Sequence, residues 1–316
     1  MLDASRILAF LQDELRQGKR ACLVTVTGVT GASVRNPGAN MAVSEDGHSI
    51  GSLSGGCIEQ AVIAEALMAI EAGAPRQLSY GAGSPIIDIR LPCGGRVDLL
   101  LTPLCEKHSI DQLIARLESR MPASLLLPVE GATLGVEDGE TGWYGEHFRV
   151  RYFPPLRLVV AGHGGTVGAL VRQASPLGID CHVVTPDREV ASDSKQGGAT
   201  VRHLSTLNEP FGFELDRWTA IAFFFHDHDW ETKLMAEALA SPAFYIGAMG
   251  SNKTHAERSE LLASIGVEQD SIERIAAPIG LIPSSRDPET LALSALAQIV
   301  DCYNAETGAQ FNPGQA

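Results

Sequence analysis

Residues 156–186, LRLVVAGHGGTVGALVRQASPLGIDCHVVTP, allow few folds. The segment opens with an apolar run of strand length (156–160), turns at Gly162 to Gly165, carries helically spaced apolar residues over 166–174, and returns to an apolar strand over 179–184. Two strands joined through one helix run parallel, and a parallel sheet is covered by helices on both faces, which is why its strands read as unbroken apolar runs. The pattern continues with a strand at 218–225, a helix at 230–240, a strand at 243–246, a helix at 255–265 and a last helix at 288–302, with Asp287 and Pro288 as a normal start. The expectation for residues 151–316 is a Rossmann-like, doubly wound parallel sheet.

Such sheets place ligands beyond the carboxyl ends of their strands. Gly162 and Gly164 stand at one such end, and His226-Asp227-His228-Asp229 at another. The histidines and carboxylates suit a divalent metal, but neighbouring residues of a strand face opposite ways, so the cluster is better read as pocket wall and helix cap, with Asp229 as N-cap and His226 bonded to backbone. A dinucleotide fingerprint would need a third glycine where Val167 stands and an acid where Thr185 stands, with Asp187 two residues late. NAD(P) and an oxidoreductase activity therefore remain an alternative. Lys253, His255 and Arg258 gather at one helix start, where cations are unfavourable unless an anion compensates them or they are solvated.

The first half, residues 1–150, is a separate α/β domain, with the boundary expected near Pro154-Pro155. An amphipathic helix (3–17) stops at Gly18, a strand follows at 21–26, and the loop TGVTGASVRNPGANM holds Arg35 as its sole cation. Small residues around one guanidinium suit a phosphate or carboxylate ligand; equally, Arg35 pairs with an acid of its own domain. A hairpin (41–43 and 49–53) leads into GSLSGGCIE, residues 51–59, and a helix over 58–72 that ends at Gly73. Ser54, Gly55 and Gly56 put open amides before a helix start, and Cys57 sits where thiolate forms more easily. The bland reading is a tight turn with a small buried cysteine. Strands are expected at 76–80 and 86–90. A second turn, Cys93-Gly94-Gly95, precedes a strand at 97–101, and after a helix at 109–120 a strand at 123–127 is expected to join the same sheet. Two cysteine-glycine turns and Arg35 are candidates for one shared pocket.

A formal charge of −14 over 316 residues argues against a nucleic-acid surface but allows a small anion held locally. No apolar run reaches the roughly 18 residues of a membrane helix, and acidic residues interrupt the start, so a cytoplasmic setting is expected. The six scattered cysteines read as free thiols, most of them buried.

The motifs GASVRNPGANM, GSLSGGCIE, LPCGGRVDLLLTP, AGHGGTVGAL, FFFHDHDWE, YIGAMGSNKTHAER and APIGL, in this order, resemble the XdhC/CoxI family of accessory factors for molybdenum hydroxylases. The resemblance covers nearly the whole chain. It implies an XdhC-type N-terminal domain followed by the Rossmann-like domain. It also implies a protein that binds the molybdenum cofactor (molybdopterin), assists its sulfuration by a cysteine desulfurase-type sulfur transferase, and delivers it to a xanthine dehydrogenase-type hydroxylase. Carried onto this chain, the cofactor-binding residues are Arg35, Ser54, Gly55, Gly56, Cys57, Cys93, Gly94, Gly95, Gly162, Gly164, His226 and Asp227, with no metal ligand assigned. A homodimer is the expected assembly. The chain departs from the family at Gly162 to Gly165, at Thr185 and over 282–285, all at the expected ligand edge of the second sheet.

Overall fold

The structure is a computed structural model and describes residues 3–31, 35–81, 94–131, 134–226 and 229–308. The chain divides into two compact units between Pro154 and Pro155.

In the first unit, β1 (Ala21–Thr30), β2 (Asn40–Ser44), β3 (Ser49–Gly51), β4 (Arg76–Gly81) and β5 (Arg96–Leu104) form an antiparallel sheet in the order β3-β2-β1-β5-β4. Residues 21–27 of β1 are buried on both faces, and the strand period of two sorts them. Ala21 and Leu23 join Ile7, Leu8 and Leu11 of α1 (Ala4–Arg16), whereas Cys22, Val24 and Val26 meet Val62, Ala66 and Ile70 of α2 (Glu59–Ala72). β1 runs past the expected end at Val26 because a bulge between Val26 and Gly28 lets pairing with β5 continue to Thr30.

The strand β6 (Ala123–Pro128) does not join this sheet, contrary to expectation. It pairs with β7 (Gly135–Glu137) and β9 (His147–Tyr152), and with β8 (Gly142–Tyr144) they make a four-stranded sheet in the order β7-β6-β9-β8. The turn-rich stretch after β6 supplies those partners, β8 and β9 forming a hairpin within it. Leu125, Leu127, Phe148 and Val150 of this sheet, with Ile110 and Leu113 of α3 (His108–Glu118), share the α1 core. The buried Tyr152 hydroxyl donates to Asn40 Oδ1 at 2.8 Å, and Asn40 Nδ2 donates to Thr25 Oγ1 at 2.9 Å, so these three side chains are linked inside the core.

The second unit is the expected parallel sheet. β10 (Arg157–Gly162), β11 (Asp180–Thr185), β12 (Thr200–His203), β13 (Thr219–Phe224), β14 (Tyr245–Ala248) and β15 (Ile275–Ala276) lie in the order β12-β11-β10-β13-β14-β15. The connecting helices are α4 (Gly165–Ala174), α5 (Arg188–Gln196), α6 (Glu231–Ala240), α7 (Asn252–Ser264), the short α8 (Gln269–Ile272) and α9 (Pro288–Glu306). The strand order reverses between β10 and β13, which sets a crevice at their carboxyl ends. Among the described residues no helix is long and apolar enough to cross a membrane.

Candidate functional site

The crevice of the second unit is a cleft of about 770 Å³. Its walls are the strand ends at His163-Gly164-Gly165, Phe224 and His226, and Met249-Gly250-Ser251, closed by the segment 278–286 and the start of α9. At Gly162 a Cβ would lie 2.8 Å from the backbone of Phe224, so only glycine lets β10 and β13 end this close. Gly164 then opens α4 at φ 82°, ψ −179°, a conformation open essentially to glycine alone, and no side chain caps the helix. The His163 and His226 rings stand 5.3 Å apart between centroids, with Phe225 edge-on to His163 at 5.6 Å.

His226 is therefore a wall of the cleft, exposed at its mouth. Asp227 and His228 lie outside the described residues, and among those described no three metal-binding side chains gather. Asp229 is not the N-cap of α6; that place is Trp230, without a side-chain cap. Nor is the cation group on α7 one cluster. Lys253 is solvent-facing and sits 3.8 Å from Glu257, while Arg258 is buried: its Nε donates to Glu231 Oε1 at 3.0 Å and its Nη2 donates to Met249 O at 2.8 Å. The anion compensating Arg258 is thus the first residue of α6, and the pair fixes the Met249 end of the cleft wall. At the end of β11, Thr185 is fully buried and Asp187 caps α5, accepting from the N–H groups of Glu189 and Val190, so the acid that might have met a dinucleotide ribose is already engaged.

In the first unit the turn before α2 carries an unexpected occupant. Glu59 Oε1 accepts from the Ser52 hydroxyl and the N–H groups of Leu53 and Ser54; Oε2 accepts from the Ser54 hydroxyl and the N–H groups of Gly56 and Ile58, over 2.7–3.2 Å. Gly55 N–H donates to Ser52 Oγ and Cys57 N–H to Ser54 Oγ. Partial burial pushes the Glu59 carboxyl up, but the bonds from Ser54, Leu53 and Ser52 outweigh it and hold its pKa down to about 2. The amides of residues 53–58 are satisfied from within, and the exposed Cys57 side chain is what the turn offers outward.

Arg35 is half-buried and its Nη2 donates to Asp3 Oδ2 at 2.5 Å. Cys93 is outside the described residues. Gly94 is exposed and Gly95 buried, close to Gly31: a Cβ on Gly31 would lie 3.4 Å from Gly95 Cα. Strand direction relates the three stretches. β1 ends at Thr30, which pairs with Arg96 at the start of β5; Arg96 also pairs with Gly81 at the end of β4; Gly51 at the end of β3 pairs with Met41, the second residue of β2. The connections holding Arg35, Cys57 and Cys93 therefore all leave the sheet at one end. Of the remaining described cysteines, Cys22 and Cys181 are buried, Cys302 is intermediate and Cys105 is exposed, so fewer are buried than composition suggested.

Residues 158–299 match the family model of the XdhC Rossmann domain, and residues 14–81 match that of the XdhC and CoxI family. Over 299 residues the sequence is 35% identical to the molybdenum cofactor insertion chaperone PaoD of Escherichia coli (strain K12), covering 94% of this chain and 88% of PaoD. The chain belongs to the XdhC/CoxI family.

A more distant relative of this XdhC/CoxI protein is the uncharacterized protein YqeB of the same organism, 24% identical over 85% of this chain and 41% of YqeB. A Bacillus halodurans protein, BH1974, whose crystal structure is described as that of a xanthine dehydrogenase, shares the fold with a TM-score of 0.77 over 97% of this chain and 98% of its own, at 21% identity. Within the XdhC/CoxI member described above, the two matched regions hold Arg35, the Cys57 turn and the whole cleft, whereas Cys93, Gly94 and Gly95 fall between them. Two residues escaped the reading of the sequence. Glu59 was visible as an acid in the first turn of a helix after serines and glycines, the pattern of an end-capping carboxylate. Arg286 stood next to the stretch 282–285 where the chain departs from the family and was given no role, and the fold brings it to the cleft.

Proposed function

We propose that this protein is a molybdenum cofactor insertion chaperone serving a molybdenum hydroxylase. The observation that carries the reading is the 35% identity to PaoD over 94% of the chain. The convergence of three connections at one end of the first sheet supports a cofactor site there. In it Arg35 meets the phosphate of the pterin, Cys57 offers a soft thiol toward the molybdenum or its sulfur ligand, and Cys93, Gly94 and Gly95 complete the rim with Ser54, Gly55 and Gly56. In the second unit, taken by itself, Gly162, Gly164, His226 and Asp227 are the proposed cofactor-binding residues. A cysteine desulfurase-type sulfur transferase supplies the sulfur, the client is a xanthine dehydrogenase-type enzyme, and the working form is a cytoplasmic homodimer.

Anaerobic reconstitution tests this function. Apo-hydroxylase is incubated with free cofactor, with and without stoichiometric chaperone, and its activity is followed. The expected result is a several-fold higher yield of active hydroxylase with the chaperone present. Equal yields with and without it would reject the reading.

A further inference from the structure

We propose that His163 and His226 form a two-imidazole site for a zinc or copper ion. Their ring centres stand 5.3 Å apart, with the ring planes at 40° to each other. An imidazole that ligates such an ion at about 2.0–2.1 Å has its ring centre about 3.2 Å from the ion, so two that ligate at the tetrahedral angle have centres about 5.2 Å apart. The observed spacing is the one that a single ion between the two rings requires. The ring nitrogens are not committed elsewhere: among the described residues, neither the His163 nor the His226 imidazole makes a hydrogen bond or an ion pair.

The fold holds the two rings in this relation. Gly162 pairs with Phe224, and a Cβ on Gly162 would lie 2.8 Å from the Phe224 backbone, so β10 and β13 end in close contact. The next amide, His163 N–H, donates to Phe224 O at 3.4 Å, and Phe225 meets the His163 ring edge-on at 5.6 Å. His163 is half-buried and His226 is exposed, so an ion can enter from solvent. Met249, one residue past β14, adds a thioether to the same lining, and its N–H donates to Phe223 O at 2.9 Å. Imidazole and thioether donors suit zinc and copper, whereas magnesium and calcium take oxygen ligands. Two imidazoles leave the ion with open positions, as catalytic sites do and closed structural sites do not. His163 stands in the stretch Gly162 to Gly165, where the chain departs from its family, so the pair belongs to this chain's own residues. The inference goes beyond the cofactor reading and does not depend on it, because it concerns an ion held by the second unit taken by itself.

Isothermal titration of the metal-stripped, full-length protein with zinc chloride tests the site, in wild type, His163→Ala and His226→Ala, after the exposed thiols have been blocked with iodoacetamide. Unchanged circular dichroism and melting of the two variants verify that they fold. The expected result is saturable binding of about one zinc per chain, weakened about tenfold or more by either histidine change. Copper(II), added at one equivalent, reads the ligands directly: electron paramagnetic resonance of wild type should show coupling to a pair of imidazole nitrogens, and each variant should lose one of them. Absence of saturable zinc binding by wild type overturns the site, as does binding that survives both histidine changes or copper that shows no imidazole pair. A separate anaerobic titration of metal-stripped wild type with molybdenum cofactor tests the cofactor reading. If the zinc and copper results hold and the cofactor does not bind, the ion site stands and the cofactor reading fails; if the cofactor binds and zinc does not, the ion site alone is rejected.

Discussion

Ser54 and Glu59 hold each other across the turn before α2. The Ser54 N–H donates to Oε1 at 2.9 Å and its hydroxyl donates to Oε2 at 2.7 Å. A cradle of amides at a helix start is an anion site in general, and here the chain provides the anion itself. The glycine turn therefore acts as a collar that presents Cys57, and its amides are not open to an external anion.

Replacing Glu59 with alanine leaves the amides of Leu53, Ser54 and Gly56 without their acceptor, and that of Ile58 with Ser54 Oγ alone, and should destabilise the first unit by about 1–3 kcal/mol. The effect is linked to pH. Its pKa falls from 4.5 in the unfolded chain to about 2 in the folded one, so the stabilisation is complete above pH 4.5 and is lost as pH drops toward 2. Urea unfolding of wild type and Glu59→Gln at stepped pH checks it: the difference between them should shrink through that window, and a difference independent of pH would contradict the assignment.

The thiols should react in two groups. Cys57 and Cys105 are exposed and should be alkylated first in the native protein, whereas Cys22 and Cys181 are buried and should react only on unfolding. Burial pushes the Cys22 thiol far up and Cys181 up to about 11, which suppresses their thiolates further. Peptide mapping after timed iodoacetamide treatment reads the order directly; native labelling of Cys22 ahead of Cys57 would contradict the packing.

Arg258 and Glu231 form an ion pair with side chains 3% and 1% exposed. Arg258→Ala removes the guanidinium from a buried carboxylate and frees the Met249 carbonyl, and should cost about 3–5 kcal/mol, while the double change Glu231→Leu with Arg258→Met recovers most of the loss. Trp218 and Trp230 report on this unit during denaturation. A single-variant loss below about 1 kcal/mol would show the pair to be solvated.

Gly162 and Gly164 should resist alanine for different reasons. At Gly162 the added Cβ meets Phe224 backbone at 2.8 Å and forces β10 from β13, whereas at Gly164 it meets nothing within 4 Å and the cost is the backbone conformation alone. Each should cost about 1–3 kcal/mol in the second unit's unfolding and leave the first unit's unchanged. Calorimetry resolving the two transitions checks this, and a downward shift of the first unit's transition would contradict it.

The second sheet was legible because β10, β11 and β13 are apolar runs of strand length separated by glycine turns. α5 and β12 left no such trace: α5 buries only Ala191 and Ser194, and β12 is an edge strand with no buried residue, so neither repeats an apolar period. For Arg258 the sequence left a compensating anion and solvation equally open, because nothing local ties it to Glu231, 27 residues away. The cysteine-glycine turns were visible as landmarks. Their common end of the sheet was not, because antiparallel register is decided by packing between distant strands.

The most direct measurement is the equilibrium binding of molybdenum cofactor, under anaerobic conditions, to full-length wild type, Arg35→Ala, Cys57→Ala and Cys93→Ala. Binding of about one cofactor per chain by wild type, weakened about tenfold or more by Arg35→Ala and Cys57→Ala, is what the account predicts. No binding by wild type, or equal affinity in all four proteins, would contradict it.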